Sequence, residues 1–418
     1  MVCEGFKPEI FKGKNVLMLI GPETPYFYRL SKILKNYANK VYKINLSGGC
    51  FIFYPKGAIN YRGKPSEFGH FLKEFVCKNR IDTVIMFNDK KLAHIIAKKY
   101  LEDSVEYFVI EKGYIRPHFI NFEKGGVNGN SPLVSLDVNT LKNLVPEKIE
   151  YTPIRGETPY LLFYSLVYFL AFVLLRPFFP SSDLVYRNIL KIAIGRLLSV
   201  LRGLYFGKKE KGLIKSIAES LKNKYYFVPL QVFNDSQIRY YSPYKDVSEF
   251  IMQVIESFSK NAPKDTYLVI KHHPIDLGYR DYTKLIQELC EKYNVQDRVF
   301  YLKSGDIHLL LENSIGCITI NSTVGMSALL HLKPTKVMGI SIYNKPGLTY
   351  QGTLDDFWYD AFDFTVDADL LRKFVFYIVK NSLINDSIYK KVERRSEELH
   401  ELRIPKDMYS GKVYQSKH

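Results

Sequence analysis

The chain of 418 residues is 46% hydrophobic and 24% charged, which excludes a disordered or fibrous protein and exceeds what one ordinary core accommodates. Its 59 Lys and Arg against 43 Asp and Glu leave a formal charge of +16, so a phosphate-bearing partner fits, be it nucleic acid, anionic lipid or nucleotide sugar. The cysteines (Cys3, Cys50, Cys77, Cys290, Cys317) are five, an odd number, with no C-x-x-C pair, which argues against a disulfide framework and against a zinc site.

The N-terminal stretch MVCEGFKPEIFKGKN has no apolar run of the signal-peptide kind, so the bulk of the protein is expected in the cytoplasm. The first third then alternates short apolar runs, at residues 16–20, 41–46, 83–87 and 107–110, with helix-length spacers. Strands alternating with helices predict βαβ units and a parallel sheet, whose ligands bind beyond the carboxyl ends of the strands. The segments to search are therefore Gly21-Pro22-Glu23-Thr24, residues 45–49, Asn88-Asp89 and Glu111-Lys112-Gly113-Tyr114. At the end of its strand Glu111 can take a proton from a hydroxyl, and Arg116 can bind a phosphate or carboxylate. The loop over 124–132, KGGVNGNSP, is flexible enough to approach a ligand closely. It lacks the Walker spacing, and no G-x-G-x-x-G opens either half, so neither an NTPase nor a dinucleotide dehydrogenase is supported.

Residues 151–224 fit neither half. The run 158–175 has no charge and is at the lower limit for a membrane span. Yet Tyr160, Tyr164, Tyr168, Phe172 and Arg176 recur every fourth residue, so one helical face carries hydroxyls and then a charge, and Pro177 and Pro180 stop it. A second helix is predicted from Asp183 to about Leu204, and residues 181–225 hold ten Lys and Arg against three Asp and Glu. Such a basic amphipathic helical hairpin suits the plane of an anionic membrane surface; the alternative is an ordinary hairpin buried between the lobes.

From residue 224 the strand pattern resumes at 226–230, 267–270, 299–302, 316–320 and 335–338. Two Rossmann-like halves with parallel sheets facing a central cleft predict an α/β, GT-B-like fold. The expected domains are 1–150, the helical segment 151–224, a second Rossmann-like domain at 225–380, and a C-terminal helix within 381–418 that packs back on the first domain. Three strand ends of the second half stand out. Asp235 can serve as nucleophile or base at a sugar carbon, or simply cap a helix. His273 or its neighbour His272 can donate to a phosphate leaving group. Asn321-Ser322-Thr323 opens a helix, where hydroxyls, free N–H groups and the dipole make an anion site.

Taken in order, these pieces resemble the capsule polysaccharide synthesis and export family of the KpsS and KpsC type, which are retaining β-Kdo transferases. The first half carries Gly21-Pro22, Pro25, Phe27 and Arg29-Leu30, then Asn45 with Gly48-Gly49, and Tyr61-Arg62-Gly63. Glu111, Gly113-Tyr114 and Arg116-Pro117 follow, and after them Gly125-Gly126-Val127-Asn128-Gly129-Asn130-Ser131. The second half carries Val228-Pro229-Leu230-Gln231, Asp235-Ser236-Gln237, His273-Pro274 and Asn321-Ser322-Thr323-Val324-Gly325. The single pair of halves is similar to the one-module KpsS type more than to the two-module KpsC type.

The resemblance implies a CMP-Kdo donor, held by Gln231, Ser236, Gln237, His273, Pro274, Asn321, Ser322 and Thr323. It also implies Asp235 as nucleophile and Glu111 as base, with His273 at the leaving group. The acceptor side would be Glu23, Arg116, Asn128 and Asn130, and the acceptor a lipid of the phosphatidylglycerol type in the capsule linker. No metal and no cofactor beyond the donor is expected. The partners implied are an anionic membrane surface on the cytoplasmic side and other capsule synthesis or export proteins. Two alternatives stand beside this: a transferase or epimerase of the same fold using another nucleotide sugar, and a non-catalytic membrane adaptor of capsule export. Nucleic acid is not expected, because the basic residues cluster on an apolar hairpin and not on an aromatic groove.

Overall fold

The computed structural model describes residues 7–392 and 399–402 and separates into two units. The first comprises the chain to Pro132, Lys148–Leu190 and Tyr377–Leu402. Its strands are β1 (Asn15–Met18), β2 (Lys40–Asn45), β3 (Ile59–Asn60), β4 (Thr83–Phe87), β5 (Glu106–Lys112), β6 (Ile120–Lys124) and the short β7 (Glu150–Tyr151). The sheet runs β3-β2-β1-β4-β5-β6, parallel through β5, with β6 antiparallel to it. The apolar runs are continuous because both faces are covered. Leu17 packs with Ile44, Val84 and Val109 under the helices Phe68–Lys78 and Leu92–Leu101. Val16 and Met18, alternating with it, pack with Ile85, Phe108 and Ile110 under the helix Tyr26–Leu34.

The second unit, Leu133–Glu147 with Lys191–Phe376 in the described chain, repeats the plan. Strands β8 (Tyr225–Pro229), β9 (Tyr267–Lys271), β10 (Val299–Leu302), β11 (Gly316–Thr319) and β12 (Thr335–Val337) lie in the order β10-β9-β8-β11-β12, all parallel. Tyr226, Val228, Leu268 and Ile270 face the helix Val247–Asn261 and Trp358. Tyr225, Phe227 and Val269 face the helix Lys211–Ser220 and Leu310. In both sheets the chain starts in the middle, moves to one side, then returns across its first strand. The switch points therefore lie between β1 and β4 and between β8 and β11, and ligands of such sheets bind there, at the carboxyl ends.

Three sequence expectations are corrected. Leu133–Glu147 belongs to the second unit, where Lys345 Nζ donates to the Leu136 carbonyl at 2.6 Å and Lys373 Nζ to that of Lys142 at 2.8 Å. The segment 151–224 is not a body of its own: the helix Thr158–Leu174 belongs to the first unit and nearly all of the helix Ile189–Lys209 to the second. The helix expected beyond Asn381 is absent from the described residues. The helix Ala368–Asn381 ends there, and β13 (Leu383–Ile384) adds itself antiparallel to β6. Asn385 then accepts from Thr152 N–H at 2.7 Å and donates to the His118 carbonyl at 2.8 Å, and β14 (His400–Glu401) pairs with β7. The return onto the first unit is thus made by strands and an asparagine hook; the rest of that expected helix falls on residues outside those described.

The helix Thr158–Leu174 turns the later part of its hydroxyl-bearing face inward, while Tyr160 at its start is exposed. Tyr168 and Phe172 are buried, and Tyr164 packs edge-on to Phe53 at 5.5 Å. Leu162, Phe163, Leu166, Leu170 and Leu174 are exposed on other sides. Among the described residues no helix is long and apolar enough to cross a membrane.

Candidate functional site

In the second unit the carboxyl ends of β8 and β11 are joined by two amides. Gln231 Nε2 donates to Asn321 Oδ1 at 3.0 Å, and Asn321 N–H donates back to Gln231 Oε1 at 3.1 Å. Asn321 Nδ2 also donates to the carbonyls of Gln237 and Tyr241, at 3.0 and 3.3 Å. This fixes the short helix Ser236–Tyr241 against the end of β11. Asp235 caps that helix: its Oδ1 accepts from Gln237 N–H at 2.9 Å, and Oδ2 lies 3.5 Å from Gln231 Nε2. Gln231, Asp235, Gln237 and Asn321 are thus one hydrogen-bonded group at the switch point, with Ser236 as the first helical residue. A cavity of about 560 Å3, of a size that takes a small-molecule ligand, opens on Asp235 and is lined by Phe233, Asn234, Arg239, Tyr244 and Lys245.

Ser322 caps the helix Thr323–Leu330, its Oγ accepting from Val324 N–H at 3.2 Å. Its carbonyl receives the Tyr343 hydroxyl. The same hydroxyl explains Gly325, since a Cβ there would lie 2.2 Å from it. The helix N-terminus, with Thr323 as its first residue, therefore sits at the edge of the sheet beside the amide pair, as an anion site requires.

Of the two histidines after β9, the structure separates the roles. His272 is buried; its Nδ1 meets the Tyr301 hydroxyl at 2.6 Å, and burial holds its pKa down near 4. His273 is half-buried and caps the turn Pro274–Gly278, its Nδ1 accepting from Ile275 N–H at 3.2 Å. An imidazole whose Nδ1 accepts carries its proton, when neutral, on Nε2, where it can donate to a phosphate oxygen. The turn is tied to the Asp235 loop by a residue that sequence reasoning missed. Asp276 is fully buried, and its Oδ2 accepts from Phe233 N–H at 3.0 Å. Burial pushes its carboxyl up to about 6. A lone Asp after a His-Pro pair gives no sequence signal for this.

In the first unit the residues expected on the acceptor side are held by separate partners. Glu111, half-buried at the end of β5, accepts from Lys112 N–H at 3.1 Å, and burial raises its pKa, the direction a general base near neutral pH needs. Arg116 is exposed and its Nε donates to the Gly113 carbonyl at 3.2 Å. Glu23 accepts from the Tyr186 hydroxyl. The loop over 124–132 is pinned, in contrast to the freedom its glycines led us to expect. Asn130 Nδ2 donates to Asp89 at 2.7 Å, Asn128 N–H to the Tyr114 hydroxyl at 2.8 Å, and Ser131 to the buried Glu123, whose carboxyl burial pushes up to about 7.

His94 was also missed. It is fully buried at the first sheet's switch point, its Nδ1–H donating to the Asn88 carbonyl at 2.5 Å and its Nε2 accepting from Ile20 N–H at 3.2 Å. It therefore ties the ends of β1 and β4 together as a neutral imidazole, and burial lowers its pKa to about 3. The unfolded chain takes up this proton near 6.5 and the folded one does not, so stability falls with acidification between those two values, by up to about 1.4 kcal/mol per pH unit. Urea titrations at pH 7 and pH 5 are expected to give a smaller loss for His94→Gln than for the parent; equal losses would exclude His94 as a source of the acid sensitivity. Among the described residues no three His, Cys, Asp or Glu side chains are grouped to hold a metal.

With this geometry in view, comparison with known proteins is specific. A family model described as "Capsule polysaccharide biosynthesis protein" matches residues 82–389. The chain is 33% identical over 388 residues to the capsule polysaccharide export protein KpsS of Escherichia coli, covering 91% of this chain and 98% of that one. It is 31% identical over 392 residues to the capsule polysaccharide modification protein LipB of Neisseria meningitidis serogroup A, covering 91% and 93%. Among solved structures, the KpsC of Thermosulfurimonas dismutans, a beta Kdo 2,7 transferase, aligns with a TM-score of 0.43 at 14% identity over 86% of this chain and 89% of that one. At that distance the likeness bears on neither substrate nor mechanism.

Proposed function

We propose that this chain, which belongs to the capsule polysaccharide biosynthesis protein family, is a retaining β-Kdo glycosyltransferase. It would move Kdo from CMP-Kdo to a lipid acceptor of the phosphatidylglycerol type in synthesis of the capsule linker. The observation that carries this is the hydrogen-bonded group Gln231, Asp235 and Asn321 at the switch point of the second sheet, with the Ser322 helix end beside it. A carboxylate, an anion-binding helix end and a cavity for a small ligand are what attack at a sugar carbon with phosphate departure requires.

In this reading the Asp235 carboxylate attacks the anomeric carbon of Kdo. The bond from that carbon to the phosphate oxygen breaks, and CMP leaves with the bonding pair. Ser322, Thr323 and the helix N-terminus hold the phosphate, with His273 Nε2–H donating to it. Gln231 keeps the nucleophile's carboxylate oriented while Gln237 N–H holds its other oxygen. The acceptor hydroxyl then attacks the same carbon from the opposite side to Asp235, releasing the carboxylate and passing its proton to Glu111. Two inversions return the original configuration. Arg116, Glu23, Asn128 and Asn130 are assigned to the acceptor, and the protein to the cytoplasmic face of an anionic membrane, on which the exposed leucines of the helix Ile189–Lys209 would rest.

Purified protein given CMP-Kdo and a phosphatidylglycerol-derived acceptor is expected to release CMP and to raise the lipid's mass by one Kdo or more. Release with another CMP- or UDP-sugar in place of CMP-Kdo would replace the donor. No transfer from any of these, and no binding of CMP-Kdo, would favour the adaptor.

A further inference from the structure

The helix Ile189–Lys209 is bolted to the turn that carries His273, both within the second unit. Tyr279 Oη donates to the Ile192 carbonyl at 2.7 Å, and Arg202 donates to the Leu277 carbonyl at 2.6 Å. Between them the buried Ser199 hydroxyl lies 2.6 Å from the Ile275 carbonyl oxygen and accepts from Gly278 N–H at 2.9 Å. The backbones touch: a Cβ on Gly278 would lie 1.9 Å from the Gly195 oxygen, and one on Gly195 2.1 Å from the Tyr279 ring. Immediately after the helix, Glu210 accepts from Lys303 and Ser304 N–H, at 2.9 and 2.8 Å, just past β10.

Ile192, Gly195, Ser199 and Arg202 follow one another at helical spacing and so define one face. The opposite face carries Leu190, Ile194, Leu197, Leu201 and Leu204, each at least 54% exposed. Lys191, Arg196, Lys208 and Lys209 are exposed around it. An apolar stripe bordered by cations matches an anionic lipid surface, into which the leucines insert while the cations meet headgroup phosphates. The bolted face, in turn, reaches the donor group: Asp276 N–H donates to the His273 carbonyl at 2.9 Å, Asp276 Oδ2 receives Phe233 N–H, and Arg280 lies over the Phe233 ring at 5.0 Å.

We propose that Ser199 is a positioning residue that transmits seating of this helix on an anionic lipid surface to the His273 turn. Lipid on one face of the helix then steadies the donor site on the other. This rests on the membrane reading given above, and the experiment separates the two.

Hydrogen–deuterium exchange of the full chain is measured with vesicles of phosphatidylglycerol and phosphatidylcholine in equal parts, and with phosphatidylcholine alone. The mixed vesicles are expected to slow exchange several-fold in the helix and also at the amides of Asp276, Gly278 and Tyr279; the uncharged ones are not. In Ser199→Ala the helix keeps its response and the turn loses it, which a merely structural role, equal with and without lipid, does not produce. The double variant Leu197→Ser with Leu201→Ser, which leaves the bolted face intact, loses both. Protection of the helix without the turn in the parent protein would overturn the coupling and leave the membrane reading standing. Protection of neither would overturn both, and an unchanged turn response in Ser199→Ala would remove Ser199 from the role.

Discussion

Replacing Asp235 by Asn is expected to lower transfer by about 10^4-fold or more while leaving stability nearly unchanged. The pairing of outcomes matters because Asp235 has two jobs in the structure. It caps the helix Ser236–Tyr241 through Gln237 N–H, and it presents a carboxylate beside Gln231 at the sheet's switch point. Asn is as good an N-cap as Asp, so the substitution spares the helix and removes the carboxylate proposed as nucleophile. Asp235→Ala removes both, and should add a stability loss of about 1 kcal/mol to the same loss of transfer. If Asp235→Asn transfers at near the parent rate and Asp235→Ala is merely less stable, the residue is a cap and nothing more. Steady-state CMP release, with thermal unfolding of the same samples, reads both quantities.

The second large effect is expected at Gly48. The N-terminus of the helix Gly48–Phe53 is pressed on the helix Thr158–Leu174, where a Cβ on Gly48 would lie 2.2 Å from the Ala171 carbonyl oxygen and 2.5 Å from Leu175 Cβ. Backbone cannot step aside as a side chain can. Gly48→Val is therefore expected to cost about 3 kcal/mol, either destabilising the first unit or prying off the helix. Detachment of the helix would expose Tyr168 and Phe172, the two side chains it buries. Limited proteolysis distinguishes the cases: new cleavage confined to residues 152–180 marks a detached helix. A variant as stable and as protease-resistant as the parent would mean that the two helices are not held as close as described.

These two sites also show how unevenly the sequence reveals the molecule. The parallel strands were legible because both faces of each sheet are covered, so runs such as 83–87 and 299–302 are apolar or β-branched throughout and bounded by turns. Their order put Gln231, Asp235 and Asn321 at strand ends, and three-residue motifs sufficed to mark the group. Gly48-Gly49 was visible as a motif, but its reason, the approach of a helix more than a hundred residues on, was not. β6 was missed because Asn121, Glu123 and Lys124 break its apolar run, and β13 because it is two residues long and pairs with a strand far off in sequence, Leu383 with Asn121. The segment just after Asn381 reads as helix in the sequence, yet Leu383–Ile384 pair with β6 and Asn385 binds Thr152 and His118 instead. His94 and Asp276 are single residues whose importance comes wholly from what folding brings against them, Ile20 and Asn88 in one case and Phe233 in the other. No periodicity or motif announces such contacts.

The most direct test of Asp235 as the nucleophile of a retaining transferase is to catch the sugar on it. On the mechanism proposed above, Glu111→Gln lacks the base of the second step, so incubation with CMP-Kdo without lipid is expected to leave an enzyme heavier by one Kdo residue. Peptide mass spectrometry should place that sugar on the segment containing Asp235, and none should form in Asp235→Asn. A protein that converts CMP-Kdo and lipid to product yet never carries Kdo on that segment would contradict the account.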